Sequence, residues 1–220
     1  MKKRENKFCP KPTTGWDELA ANKNFLQTGD IIHVLSRGLL SKLIRFFSRA
    51  DEEGPSWASH SAMVLRVGEE IEIIEALTKT VIRPITAYKG TKAKLLVCRK
   101  PGGLDTQNKQ KMIEKAKYYK GKPYGYLKIV CHALDRFFDN RYVFRRLIKV
   151  DNYPICSWLV AYVYDRVISY QFGVPPNAAQ PDDILDHCVD CDWEFVWADS
   201  SQSVADFCRT YMLPNKNDVV

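Results

Sequence analysis

Apolar and polar positions alternate between two periods along the chain, and the change of period divides it. Gly29-Asp30 opens a short apolar run from Ile31 to Leu35 that reads as a strand. His60 to Val67 and Ile71 to Leu77 are two further strand-like runs around Gly68-Glu69, so they predict a hairpin. Thr80 to Ile85 and Lys94 to Arg99 continue the strand pattern, and Pro101-Gly102-Gly103 breaks it. Residues 105–120 then read as a basic helix, Gly121-Lys122-Pro123 as a turn, and Leu127 to Phe138 as a second helical pattern. Asp151-Asn152-Tyr153-Pro154 offers helix-start chemistry, and Ile155, Leu159, Val160, Val163 and Val167 follow at helical spacing. Pro175-Pro176 and Pro181 punctuate a loop, and Trp193 to Trp197 reads as a last strand. Strands first and helices later predict an α+β fold. Residues 1–27 are polar and read as a tail or peripheral wrap, leaving 28–220 as a single domain.

One helical stretch differs from the rest. Leu39, Leu40, Leu43, Ile44, Phe46 and Phe47 recur at helical spacing with Lys42, Arg45 and Arg49 between them. Core packing under solvated charges accounts for that pattern. A lip that touches substrate or membrane is the alternative. No apolar run approaches the ~18 residues of a membrane span.

Charge changes the picture of partners. The net charge of +7 is spread unevenly: residues 79–150 carry 19 basic and 4 acidic side chains, and 151–220 carry 3 and 11. The basic middle could face an anionic surface, or pair with the acidic C-terminal third inside one fold. No zinc-finger spacing or aromatic RNA-binding strand accompanies it, so no nucleic-acid partner is expected. The seven cysteines are an odd count. The basic start, Met1 to Lys7, lacks the apolar stretch of a signal peptide. Together these predict a reduced, cytoplasmic chain without a disulfide framework.

Cys156 is the residue that stands out chemically. It falls in the first turn of a predicted helix, where partial positive charge and free N–H groups lower a thiol's pKa. His60 is the candidate base. If the hairpin turns at Gly68-Glu69, Val67 pairs with Glu70 and Ala62 with Glu75, so His60 and Glu75 share a face. They are then diagonal neighbours, roughly 7–8 Å apart between Cα atoms. A one-residue slip would put Glu75 on the other face. In the right register, thiol, imidazole and carboxylate form a nucleophile, a base and the group that orients the base.

The order Gly29-Asp30-Ile31-Ile32, Ser59-His60-Ser61-Ala62-Met63-Val64, Ile74-Glu75-Ala76, Gly121-Lys122-Pro123-Tyr124 and Cys156-Ser157-Trp158-Leu159-Val160 resembles the circularly permuted NlpC/P60 superfamily, nearest its YiiX/YebB-like papain-fold hydrolases. In ordinary papain-like enzymes cysteine precedes histidine; here histidine comes first, as in the permuted branch. The resemblance implies a small antiparallel sheet packed against a cysteine-bearing helix. It implies Cys156 as nucleophile, His60 as base and Glu75 as the residue orienting His60. It places Tyr124 and Ser157 at the substrate and oxyanion side, and it calls for no cofactor and no metal. Gly125 and Trp158 depart from the residues that commonly follow in the two motifs, which leaves the pocket's identity open.

Three functions are compatible with this reading. The first is a cysteine hydrolase cleaving amide bonds of peptidoglycan-derived peptide. The second is a lipid acyl hydrolase or acyltransferase. The third is a non-catalytic binding module on the same scaffold. Among other candidates, His187-Cys188-x-x-Cys191 supplies half of a zinc site, with Cys208 a distant fourth ligand. Cys131-His132 read as packing residues, Cys9 and Cys98 have no partner pattern, and Asp182, Asp183 and Asp186 read as a solvated or capping face. Ser59 and Ser61 point away from the face of His60, and no P-loop or Rossmann glycine pattern appears.

Overall fold

The structure is a computed structural model, described here for residues 7–38, 56–125 and 154–214. The amphipathic stretch 39–49, the helical pattern at 127–138, Cys131-His132 and the helix-start residues 151–153 lie outside the described residues.

Among the described residues, seven strands form one sheet: β1 (Thr13–Thr14), β2 (Ile31–Leu35), β3 (His60–Val67), β4 (Ile71–Ala76), β5 (Thr80–Pro84), β6 (Lys94–Arg99) and β7 (Glu194–Ala198). Their spatial order is β1-β7-β6-β2-β3-β4-β5. Every pairing is antiparallel except β1 with β7. Among the described residues, five helices accompany the sheet: α1 (Trp16–Ala21), α2 (Thr106–Lys117), α3 (Cys156–Ile168), α4 (Pro181–Asp190) and α5 (Ser201–Tyr211). This is the α+β architecture, with a cysteine-bearing helix on an antiparallel sheet.

The central strands are buried on both faces, which is why β2 and β3 read as nearly continuous apolar runs rather than as alternating ones. Met63, Leu65 and Ile74 pack on one face beneath Leu159, Val163 and Tyr164 of α3 and Met112 of α2. Ala62, Val64 and Ile73 face the other way, with Leu19, Leu26, Ile85 and Tyr88. A third cluster joins α4 and α5 to the sheet through Leu185, Val189, Val204 and Phe207, with Trp57.

Two turns are fixed by backbone chemistry. Gly29 has φ of +93°, a conformation that favours glycine, and the Leu104 side chain packs against it. It leads into Asp30, which is buried and takes a two-pronged bond from Arg99 on β6 at 2.9 and 2.7 Å. Gly121, with φ of +84°, starts the second turn. Its segment lies along the start of β5: Gly121 N–H donates to Thr80 O, Thr80 N–H to Lys122 O, and Tyr124 N–H to Thr78 O. Gly125 N–H then donates to Pro154 O, which ties the segment to the start of α3.

The hairpin departs from the expected register at its tip and regains it at the site. Val67 pairs with Ile71 rather than Glu70, and an irregularity between Val64 and Arg66 absorbs the offset. Beyond it Met63 pairs with Ile74, the register that the pairing of Ala62 with Glu75 assumed.

The expectation of a chain without disulfides is corrected. Cys9 and Cys208 are joined, with Cα atoms 5.4 Å apart across 199 residues of sequence. Two isolated cysteines carry no spacing signal when one lies near each end of the chain. Thr13–Thr14 adds to the sheet edge alongside Trp197 and Ala198, which brings Cys9 back to α5. Helix α5 was not expected either. Its apolar face, Val204, Phe207, Cys208 and Tyr211, follows the i, i+3, i+4, i+7 spacing of a helix, a signal that stood in a short polar stretch.

Alkylation of the native protein before reduction should leave Cys9 and Cys208 unmodified, as read by peptide mass spectrometry; label at both would disprove the link. Cys208→Ala should lower the free energy of unfolding by about 2–4 kcal/mol in a denaturant titration.

Candidate active site

Cys156 is the first residue of α3, after Ile155, whose extended backbone caps the helix. Its sulfur therefore meets backbone N–H groups that have no partner within the helix. The N–H groups of Ser157 and of Ser61 on β3 both donate to it. His60 begins β3, and Glu75 lies near the end of β4. His60 Nε2 and Glu75 Oε2 are 2.7 Å apart. The bond between His60 and the Cys156 sulfur falls to the remaining ring nitrogen, Nδ1. The three residues predicted from sequence are thus brought together in a line: thiol, imidazole, carboxylate.

Glu75 has more partners than the sequence suggested. Its side chain is fully buried, Tyr88 donates its hydroxyl to Oε2 at 2.6 Å, and Arg83 Nε donates to Oε1. Arg83 comes from β5, and its guanidinium also lies 4.7 Å from the Tyr88 ring centre. A buried carboxylate with three donors stays ionised and holds one orientation. Arg83 and Tyr88 were not singled out in the sequence. The one available signal was position: Val81 pairs with Glu75, so Arg83 stands two residues further along the neighbouring strand.

The electrostatics follow from these contacts. Burial disfavours the Glu75 charge, but hydrogen bonds and charge from His60, Tyr88 and Arg83 outweigh it and bring its pKa down to about 2. Burial also opposes the His60 charge; the Cys156 and Glu75 negative charges prevail and raise it to about 10. Burial would push the Cys156 thiol up, yet His60 and the two N–H donors hold it below its ordinary value. These contacts favour the thiolate–imidazolium form of the pair, the reactive form of a cysteine.

Tyr124 is buried, with its hydroxyl 4.0 Å from the Cys156 sulfur. The Ser157 hydroxyl points elsewhere, donating to Ala179 O at 2.8 Å, so only its backbone N–H faces the site. Trp158 is buried, stacks on Tyr162 at 4.5 Å between ring centres, and donates Nε1–H to Asn177 Oδ1 at 2.7 Å. The half zinc site noted in the sequence is only partly brought together. His187 Nδ1 lies 3.8 Å from the sulfur of the exposed Cys191 and its Nε2 pairs with the Tyr170 hydroxyl at 2.7 Å, while Cys188 is buried in the core and Cys208 is bonded to Cys9.

A fold in which the histidine strand precedes the cysteine helix, with both meeting at a buried acid, is a permuted papain-like arrangement. Residues 25–176 match the model of the permuted papain-like amidase enzymes, the YaeF/YiiX or C92 family, and the chain belongs to that family. The uncharacterized protein YiiX of Escherichia coli (strain K12) is 34% identical over 102 residues, 46% of this chain and 48% of that protein. The match thus spans about half the length of this curated relative. A solved structure titled as metalloprotein yiiX from Escherichia coli O157:H7 is 25% identical with a TM-score of 0.49, covering 82% of this chain and 92% of that one.

The pH behaviour should report the pair. Cys156 should alkylate readily at pH values where an ordinary thiol, with a pKa of about 8.5, is protonated. Glu75→Gln removes the charge that stabilises the imidazolium, so the His60 titration should move down from about 10, as followed by NMR of the ring. Because Glu75 is lowered from 4.5 to about 2, its stabilisation is present above pH 4.5 and fades as pH falls through about 2. Glu75→Gln should therefore cost about 3 kcal/mol at pH 6 to 7, with a gap that narrows in acid; an unchanged gap at low pH would contradict the assignment.

Proposed function

We propose that this chain is a cysteine amidase that cleaves amide bonds in peptide of cell-wall origin by acyl transfer, as in the NlpC/P60 enzymes it resembles. The observation that carries the reading is the buried Cys156–His60–Glu75 line, with the thiol held below its ordinary pKa. A binding module would have no need of a buried thiol whose charged form is favoured, which weighs against that alternative.

The thiolate of Cys156 attacks the carbonyl carbon of the amide. Negative charge moves to the carbonyl oxygen, where backbone N–H groups at the start of α3 and the Tyr124 hydroxyl are within reach to donate. His60 gives its Nδ1 proton to the leaving nitrogen, the C–N bond breaks, and a thioester remains on Cys156. The now neutral His60 takes a proton from water, whose oxygen attacks the thioester. The acid product leaves, and thiolate and imidazolium are restored. Glu75 keeps its charge throughout and orients the ring.

The disulfide bears on where this happens. Disulfides persist in oxidising compartments and are rare in the cytosol. The Cys9–Cys208 link thus supports action outside the cytosol, where cell-wall peptide is encountered, over the cytoplasmic setting expected from sequence. Among the described residues no helix is long and apolar enough to cross a membrane.

Wild type and Cys156→Ala should be incubated with a panel of muropeptides and of acyl lipids and followed by mass spectrometry. The expected result is a Cys156-dependent gain of one water across an amide bond of a muropeptide, lost by at least about 10³-fold in the variant. Turnover confined to the acyl lipids would replace the substrate class with the lipid one. Full activity in Cys156→Ala would end the cysteine mechanism. Tyr124→Phe should lower kcat by about 10²-fold with little change in KM if its hydroxyl holds the oxyanion.

A further inference from the structure

A second cluster of thiol and imidazole lies in the core, apart from the Cys156 line. His33 is on β2, Cys98 on β6 and Cys188 on α4, and none of the three is exposed to any extent. Ile31 pairs directly with Cys98, so His33 is the diagonal neighbour of Cys98 on the same sheet face. Cys188 reaches them from the helix, close enough to form a hydrogen bond with Cys98. One donor atom from each residue lies within 4.8 Å of the other two. A cation centred among them would be within about 2.8 Å of all three, so small side-chain rotations bring each to the ~2.0–2.3 Å of zinc bonds.

The independent observation is His33 itself. Both its ring nitrogens are buried and neither has a hydrogen-bond partner among the described residues. A buried polar group left without a partner is costly, and native folds rarely keep one without a reason. Burial keeps this imidazole neutral, so a lone pair is available for a ligand bond.

From this geometry we infer that His33, Cys98 and Cys188 form a structural site for a divalent, thiol-seeking d10 cation, zinc(II) above all. On binding, the two thiols release two protons to solvent and two S–metal bonds and one N–metal bond form. Two thiolates, one neutral imidazole and one dication sum to zero charge, which an apolar core tolerates; copper(I) would leave one negative charge there. These three donors, found among the described residues, leave one position of the tetrahedron for a fourth ligand. The site joins β2, β6 and α4, so the cation would clamp the sheet to the helix and enter as the chain folds. It is separate from the hydrolase site and does not depend on that function.

The test begins with the full chain expressed in zinc-supplemented medium and purified without chelator. Metal is counted by inductively coupled plasma mass spectrometry. One zinc per chain is expected, kept in Cys156→Ala and Cys191→Ala and lost in both Cys98→Ala and Cys188→Ala. Protein refolded with cobalt(II) should show thiolate-to-metal charge-transfer absorption that the same two variants lack. His33→Leu covers the case in which the cysteine variants fail to fold. If the imidazole is merely unpartnered, leucine raises the Tm; if it holds zinc, the Tm falls and no longer responds to zinc. Zinc-free wild type, copper retained in its place, zinc that persists without Cys98 and Cys188, a Cys98–Cys188 disulfide in the purified protein, or a raised Tm in His33→Leu would each overturn the site.

Discussion

The active arrangement depends on keeping one carboxylate charged out of water. Glu75 is fully buried, and an isolated charge there would be neutralised by proton uptake. Three donors from three places prevent this: His60 on the neighbouring strand, Arg83 on the other neighbour, and Tyr88 from the short helical turn after β5. The order of dependence then runs outward. A fixed carboxylate fixes the imidazole and favours its charged form, and the charged imidazole favours the ionised Cys156 sulfur despite its burial. Each link would be expensive alone and is stable only with the next.

The fold serves this line by meeting two conditions at once. The β3–β4 register must put His60 and Glu75 on one face, and α3 must begin where the other side of the ring points. The register is the more delicate of the two, since a shift of one residue would turn Glu75 to the opposite face. The irregularity between Val64 and Arg66 lets the hairpin tip close as its own residues prefer while the site end keeps its alignment. The second condition is met through the Gly121–Gly125 segment. Its bonds to Thr78, Thr80 and Pro154 connect the sheet edge to the start of α3 and carry Tyr124 to the sulfur.

What could be read from the sequence was what short-range chemistry encodes. Six strands, the helices at 106–117 and 156–168, and the shared face of His60 and Glu75 follow from periodicity and a turn signal. The Gly29-Asp30 pair was visible as a motif, but its reason was not. It needs Leu104 against the glycine and Arg99 on a strand nearly 70 residues away. Arg83 and Tyr88 escaped notice because a surface-type arginine and a tyrosine in a turn look alike whether or not a buried acid lies beneath them. The Cys9–Cys208 link escaped for a topological reason. It closes only once β1 has joined β7 at the far edge of the sheet, a contact between the two ends of the chain that no local pattern announces.

The two sulfur clusters show that burial alone does not decide what a cysteine can do. Cys156 and Cys188 are both buried, and both suffer the same penalty on ionisation. At Cys156 the penalty is opposed by an imidazolium and by N–H groups of a helix start, so the thiolate is favoured. Cys188 lies in the middle of α4, where the helix N–H groups are already bonded. Its neighbours are the thiol of Cys98 and an imidazole that burial keeps neutral, so nothing favours its charge and its pKa rises. The same three element types, a thiol, a ring and a helix, thus yield a nucleophile in one place and an inert pair in the other. A positive charge is what separates them. The first cluster carries its own in His60, and the second would have to take one from solution.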